Sequence, residues 1–216
     1  MIQKEVLEEK MEDYRQAGAA PQSEPERQYY FMARARELVA DMEEKLGRKP
    51  TCCVVTFGCQ MNARDSEKLL GILTEVGFAD NGEDEKSDFV IFNTCTVRDN
   101  ADQRVYGRLG ILNGYKKKNP AMKIGLCGCM AQEEKTVEKI RRTYKQVDLI
   151  FGTHALSELP RLLYEVLNER KFVYDTDEYD VSSSEIEPVR SCSFKASVPI
   201  MYGCNNFCSY CIVPYV

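Results

Sequence analysis

No apolar run in the sequence approaches the length of a bilayer span, which excludes a membrane-spanning helix. The N-terminus, Met1-Ile-Gln-Lys-Glu-Val-Leu-Glu-Glu-Lys10, is charged throughout and so is neither a signal peptide nor a transit peptide. Excess positive charge is also missing. Lys and Arg number 29 against 34 Asp and Glu, a formal net charge of −5, which excludes a uniformly basic nucleic-acid binder. There is a single histidine, His154, and no internal repeat or low-complexity tract. What stands out is ten cysteines. Without a secretory signal the expected setting is cytoplasmic, where a disulfide framework is not expected and thiol ligands for metal or redox chemistry lead. A chain of 216 residues, 44% apolar and 29% charged, is a folded protein of one or two domains.

Residues 1–48 are helical in pattern. Leu7, Met11 and Tyr14 form one stripe, the prolines of Ala19–Pro25 interrupt it, and Phe31, Ala35, Leu38 and Met42 form a second. This predicts a pair of amphipathic helices docked on the main body. From Thr51 the period changes. Cys52–Phe57, Phe89–Phe92, Ile124–Cys127 and Asp148–Phe151 are short apolar runs suited to parallel strands buried on both faces, and Lys171–Tyr174 reads as a fifth. Helical stripes separate them: Leu69, Ile72, Leu73 and Val76; Val105, Leu109 and Leu112; Val137, Ile140 and Tyr144; Leu156, Leu159, Leu163 and Val166. The alternation predicts an α/β fold, an open parallel sheet flanked by helices, over 49–175. A linker is expected over 176–188. Residues 189–216 read as the start of a further domain, opening on a strand and cut off by the end of the chain, so the sequence is expected to be a fragment.

Cys59 follows the first strand and precedes a helix whose expected N-cap is Asn62; Cys95 follows the second strand and Cys129 the third. In an open parallel sheet the C-terminal ends of all strands share one edge, where ligands bind. Topology would therefore gather these three thiols, and the helix start after each would favour a thiolate. Three thiolates without a histidine companion point to iron–sulfur rather than zinc. The alternative is burial, the commonest fate of a free cysteine. Cys52 and Cys53, inside the strand, read as core. Cys127 is a second candidate beside Cys129, whose loop position matches Cys59 and Cys95 better, and Cys192 is unassigned.

Near the C-terminus, Cys204, Cys208 and Cys211 have the spacing C-x₃-C-x₂-C. Three thiolates on one tight loop can hold three irons of a [4Fe–4S] cube and leave the fourth open, unlike ferredoxin spacing, where a fourth cysteine closes the shell. A structural zinc site would need a fourth ligand, and His154 is far away in sequence.

This spacing resembles the signature of radical S-adenosylmethionine enzymes, and Tyr202–Tyr215 as a whole resembles the methylthiotransferase family among them. Thr56-Phe-Gly-Cys-Gln-Met-Asn62, Asn93-Thr-Cys-Thr-Val-Arg98 and Gly128-Cys-Met-Ala-Gln132 are similar to the three cysteine motifs of that family's N-terminal domain. The resemblance covers about 50–216, not 1–48. It implies that Cys59, Cys95 and Cys129 hold an auxiliary [4Fe–4S] cluster, that Cys204, Cys208 and Cys211 hold the cluster that binds S-adenosylmethionine, and that Tyr210 lies near its adenine. Gln60-Met-Asn62 is similar to the branch acting on tRNA with N6-isopentenyladenosine at position 37. The implied reaction adds a methylthio group to C2 of that base. One S-adenosylmethionine methylates the sulfur, and another, split by one electron, yields the 5′-deoxyadenosyl radical that takes the C2 hydrogen. The implied partners are the tRNA anticodon loop, an electron donor and a sulfur donor. The family's barrel and RNA-binding domain would lie beyond Val216, so this chain alone is expected to be inactive. The alternatives are a methylthiotransferase for another tRNA base or a ribosomal protein, a non-catalytic iron–sulfur sensor or scaffold, and a zinc-binding interaction module. Lys116–Lys118 and Arg141–Arg142 read as helix C-terminal charges before phosphate contacts, and His154 as a loop or helix-start residue.

Overall fold

The computed structural model describes residues 2–14, 17–96, 99–168, 172–177, 179, 189, 190, 192, 194–198, 200, 201 and 203–215. Two helices, α1 (Ile2–Tyr14) and α2 (Glu26–Leu46), precede an alternating series. It runs β1 (Thr51–Phe57), α3 (Gln60–Glu75), β2 (Ala79–Asp80), β3 (Phe89–Thr94), α4 (Asp99–Lys118), β4 (Lys123–Gly128), α5 (Glu134–Thr143), β5 (Leu149–Phe151), α6 (Leu159–Asn168) and β6 (Val173–Asp175). The strands form one parallel sheet in the order β2-β1-β3-β4-β5-β6.

Side chains alternate across the strands, so the sheet buries two cores. Phe89 and Ile91 of β3 join Met32, Ala35 and Val39 of α2, Leu69, Ile72 and Leu73 of α3, and Leu159, Leu163 and Val166 of α6. Val90 and Phe92 face the other way, against Val105, Leu109 and Leu112 of α4 and Val137 and Ile140 of α5. Strands β3, β4 and β5 are buried on both faces, which is why they read as continuous apolar runs. Among the described residues no helix is long and apolar enough to cross a membrane.

Four expectations need correction. The sheet has six strands rather than five, because Ala79–Asp80 is too short to show a period. Helix α2 gives Met32, Ala33, Ala35 and Val39 to the core and also buries Gln28, Tyr29 and Tyr30. Phe31, Leu38 and Met42 are only half-buried, because α2 packs between α1 and α6 and its longer side chains flank the seam; the Phe31 ring lies 5.8 Å from that of Tyr164. The last strand is Val173–Asp175, and Lys171 lies outside the described residues. No strand forms among the described residues after 188, where Phe194, Val198 and Ile200 are exposed: an apolar run becomes a strand only where a free sheet edge receives it. Of the linker expected over 176–188, only 176, 177 and 179 are described. The Tyr179 hydroxyl donates to Asp175 at 2.9 Å.

The basic runs end helices, as expected: Lys116–Lys118 close α4, and Arg141 and Arg142 close α5. Lys116 is paired with Asp148, and the Arg141 guanidinium lies 5.2 Å from the Phe172 ring. On the outer face of α4, a Cβ added at Gly107, Gly110 or Gly114 meets nothing within 4 Å. Gly110→Ala should therefore stabilise the chain by about 0.5–1 kcal/mol through helix propensity alone, measured as a higher urea midpoint with an unchanged slope.

Candidate functional site

Strands β1, β3 and β4 are direct neighbours, and their last residues are in register: Phe57 pairs with Thr94, and Thr94 with Gly128. The three strands end level, about 4.8 Å apart from one to the next. Cys59 lies two residues past this row, and Cys95 and Cys129 one residue past it. All three line one cavity of about 170 Å³. The row crosses the point where the chain changes direction: β1 has β2 on one side and β3 on the other, and α3 and α4 cover opposite faces. A crevice opens at such a point in an open α/β sheet.

A buried amide pair holds the row together. Asn62 Nδ2 donates to Asn93 Oδ1 at 3.0 Å and to the Thr94 carbonyl at 2.9 Å. Asn93 Nδ2 returns a bond to the Asn62 carbonyl at 2.8 Å and another to Ser66 Oγ at 3.1 Å. The third loop is tied in by Thr94 Oγ1, which donates to the Cys127 carbonyl at 2.6 Å. Gly128 has φ +93°, and a Cβ there would stand 2.3 Å from the Thr94 carbonyl oxygen and 2.7 Å from Asn93 Oδ1, so the close approach of β3 and β4 needs glycine.

Asn62 is not the N-cap of α3. Cys59 is, and Asn62 at the third helical position accepts from the Cys59 backbone N–H through Oδ1 at 3.1 Å. A helix start can be capped from within by the residue three positions on, and that arrangement brings the cysteine to the rim.

At Cys129 the electrostatics correct the expectation of a thiolate favoured by a helix start. Burial, reinforced by the nearby Cys95 and Cys59 sulfurs, pushes the Cys129 thiol up to about 11. Cys129 opens a 3-10 turn, Cys129–Gln132, rather than an α-helix, so the dipole acting on it is weak. Cys127 is fully buried in the α2–α3–α6 core, where burial raises its thiol far above the ordinary range, whereas Cys129 faces the cavity. Cys52 and Cys53 are core residues with thiols pushed up to about 12 and about 11 by burial.

Helix α3 adds charge to the cavity. Asp65, 8% exposed, is raised by burial and held by Arg64 at 3.1 Å; Lys68, 6% exposed, is lowered to about 8 by burial and by the like charge of Arg64. Thr153 and His154 line the side next to β5, and His154 begins a 3-10 turn, as its helix-start reading expected. The sequence reading left out Asn93, Asp65 and Lys68 as site residues. Their signal is that Asn62, Asp65 and Ser66 continue the Leu69–Leu73 stripe backwards with polar residues, which marks a face still buried but no longer apolar.

The donor set is three thiols and no imidazole, chemistry that suits iron–sulfur binding. Among the described residues no three His, Cys, Asp or Glu side chains converge on a point where a single ion would sit. The cavity, close to the roughly 150 Å³ of an engineered cavity that takes up benzene, has room for a larger group that takes one thiolate per metal atom. Cys59, Cys95 and Cys129 could hold such a group.

The second cysteine set lies on an exposed segment. Cys204 and Cys211 are half-buried, Cys208 is exposed, and Tyr210 is 91% exposed. The Cys211 N–H donates to the Cys208 carbonyl at 3.0 Å, closing a turn. Gly203 and Val213 line the cavity of the first set, so this segment borders it, and the Val189 N–H donates to the Glu67 carbonyl of α3 at 2.9 Å. Tyr202 lies outside the described residues, as do Val97 and Arg98 of the second motif.

Gly128→Ala should destabilise the chain by roughly 2–3 kcal/mol, from strained backbone and a forced separation of β3 and β4, measured by urea denaturation. The buried thiols predict a pH effect on the metal-free chain. Below pH 9.0, their ordinary value, they are protonated folded and unfolded alike; between about 9 and 11 the unfolded chain loses protons first. Stability should therefore be intact below pH 9 and fall as pH rises to 11, by up to ~1.4 kcal/mol per pH unit for each thiol, in denaturation curves across that range.

Residues 51–152 match the family model described as Uncharacterized protein family UPF0004. The tRNA-2-methylthio-N(6)-dimethylallyladenosine synthase of Lachnoclostridium phytofermentans is 53% identical over 186 residues, 86% of this chain and 41% of that protein. The proteins of the same name from Acetivibrio thermocellus and Clostridioides difficile are 49% identical over 191 residues and 52% identical over 174, covering 88% and 79% of this chain and 40% and 36% of theirs. The chain thus spans about two fifths of the length of the curated relatives it matches. Residues 51–152, the part that matches the UPF0004 model, hold β1 to β5 and all three strand-end cysteines, and the similarity to the three synthases extends along most of the chain.

Proposed function

We propose that this chain is the cluster-bearing part of a tRNA methylthiotransferase, one that adds a methylthio group to C2 of N6-isopentenyladenosine at position 37 by radical S-adenosylmethionine chemistry. The reading rests on one observation: three cysteines from three neighbouring strand ends line a single cavity. The names of the relatives, which join methylthiolation to a dimethylallyladenosine of tRNA, support the substrate class.

In this reading Cys59, Cys95 and Cys129 ligate one [4Fe–4S] cluster and Cys204, Cys208 and Cys211 another. When bound, the clusters supply the electron that splits S-adenosylmethionine and the site of the sulfur to be transferred. The chain's own share is geometric. The Asn62–Asn93 pair keeps the three loops level, so the thiols are arranged before any metal arrives. The cavity walls from α3 and from the turn after β5 limit water. Tyr210, fully available on its turn, offers an aromatic face to adenine. An unpaired anticodon-loop base is a target that can be splayed out and stacked without opening a duplex. Because the chain spans two fifths of its relatives, the 216 residues alone are proposed to bind clusters without modifying tRNA.

The test is anaerobic reconstitution with iron and sulfide, comparing the native chain with a Cys59, Cys95 and Cys129 to Ala variant and a Cys204, Cys208 and Cys211 to Ala variant. Each variant should lose about half of the bound iron and sulfide and the matching absorbance, as expected for one cluster per three-thiol set. Spectra and metal content unchanged by either triple substitution, or zinc bound in place of iron, would overturn the reading. Hypomodified tRNA incubated with the reconstituted chain, a reductant and S-adenosylmethionine should stay unmodified.

A further inference from the structure

Lys68 is 6% exposed and lines the three-cysteine cavity, and among the described residues it makes no hydrogen bond or ion pair. A lysine so far from water normally has an acidic partner, because an unpaired buried charge is strongly unfavourable. Asp65 attracts the ammonium, but less strongly than burial and Arg64 oppose its charge, and its carboxylate is already held by Arg64 at 3.1 Å. Arg64, one turn earlier on α3, adds a like charge and lowers the tendency of Lys68 to stay protonated. Among the described residues no side chain is hydrogen-bonded to this ammonium or paired with it.

The cavity that Lys68 lines is also lined by the thiols of Cys59, Cys95 and Cys129. Thiols must lose their protons to bind a metal. A cavity with three thiolates then carries strong negative charge in a medium less polar than water, where a nearby cation acts strongly. We propose that Lys68 is a positioning residue for this site: its ammonium is the counter-charge against which the three cysteines hold their metal group. The inference rests on the assignment of Cys59, Cys95 and Cys129 as ligands and adds a residue that is not itself one. The same lysine is an unsatisfied burden in the metal-free chain and a stabilising contact in the loaded one. That reversal separates a counter-charge from a lysine kept only for the packing of its methylene stem.

The test uses the full 216-residue chain carrying Cys204, Cys208 and Cys211 to Ala, so that only the strand-end site can load, with Lys68→Met and Lys68→Arg made in it. In the metal-free state Lys68→Met should melt at a higher temperature than its parent, because a buried unpaired charge has gone. After anaerobic reconstitution the order should reverse. Lys68→Met should release iron to a chelator ~10-fold faster, the usual scale for a group supporting metal ligands, and its reduction potential should move to a more negative value. Lys68→Arg should restore both. Equal potentials and release rates for parent and Lys68→Met, or no rescue by Lys68→Arg, would overturn the inference. Should Lys68→Met lose its far-UV signal, Lys68→Gln carries the same comparison with a neutral polar end. A parent that takes up no iron would overturn the ligand assignment itself, a result seen before any Lys68 variant is measured.

Discussion

The reciprocal amide bonds between Asn62 and Asn93 are the contact on which the arrangement of the cavity depends. One amide leaves the first turn of α3, the other the end of β3, and each donates to its partner residue. Both are fully buried, so neither has water to fall back on, and losing one side would strand the other's polar atoms. The bond from Asn62 to the Thr94 carbonyl and that from Thr94 to the Cys127 carbonyl carry the constraint on to β4. Three loops from separate parts of the sequence thereby behave as one rigid edge.

That rigidity has an electrostatic consequence. Burial and close neighbours keep the Cys129 thiol protonated in the metal-free chain, the opposite of what an isolated helix start would do. Desolvation wins over the dipole because the thiol lies inside the cavity while the short turn it opens has little dipole to offer. Placing Cys129 beside the other two sulfurs therefore works against its ionisation until a metal compensates it, and a buried cation on α3 lines the same space.

Much of the α/β layer was legible. Phe89–Phe92 and Ile124–Cys127 are buried on both faces and show it as unbroken apolar runs; the Leu69–Val76 stripe shows its helix equally plainly. The placing of Cys59, Cys95 and Cys129 at one edge followed from parallel topology, since every strand of such a sheet ends on the same side. Local pattern failed where partners decide the outcome. Ala79–Asp80 is a strand only because β1 offers it an edge, Phe194, Val198 and Ile200 are exposed and form no strand among the described residues, and the buried face of α2 is set by the helices either side of it. The N-cap of α3 moved from Asn62 to Cys59 because the Asn62 amide is drawn towards β3.

By itself the sequence determined the alternation of strands and helices, the identity of the thiols and their position just beyond strand ends, because these depend on spacing and side-chain chemistry along a single chain. Tertiary structure alone decided that β1, β3 and β4 stand side by side with level ends, that Cys129 and not Cys127 faces the cavity, and that Lys68 is buried there with no hydrogen bond or ion pair among the described residues. Those outcomes depend on strand order and register, which arise from contacts between residues far apart in sequence and leave no period to read.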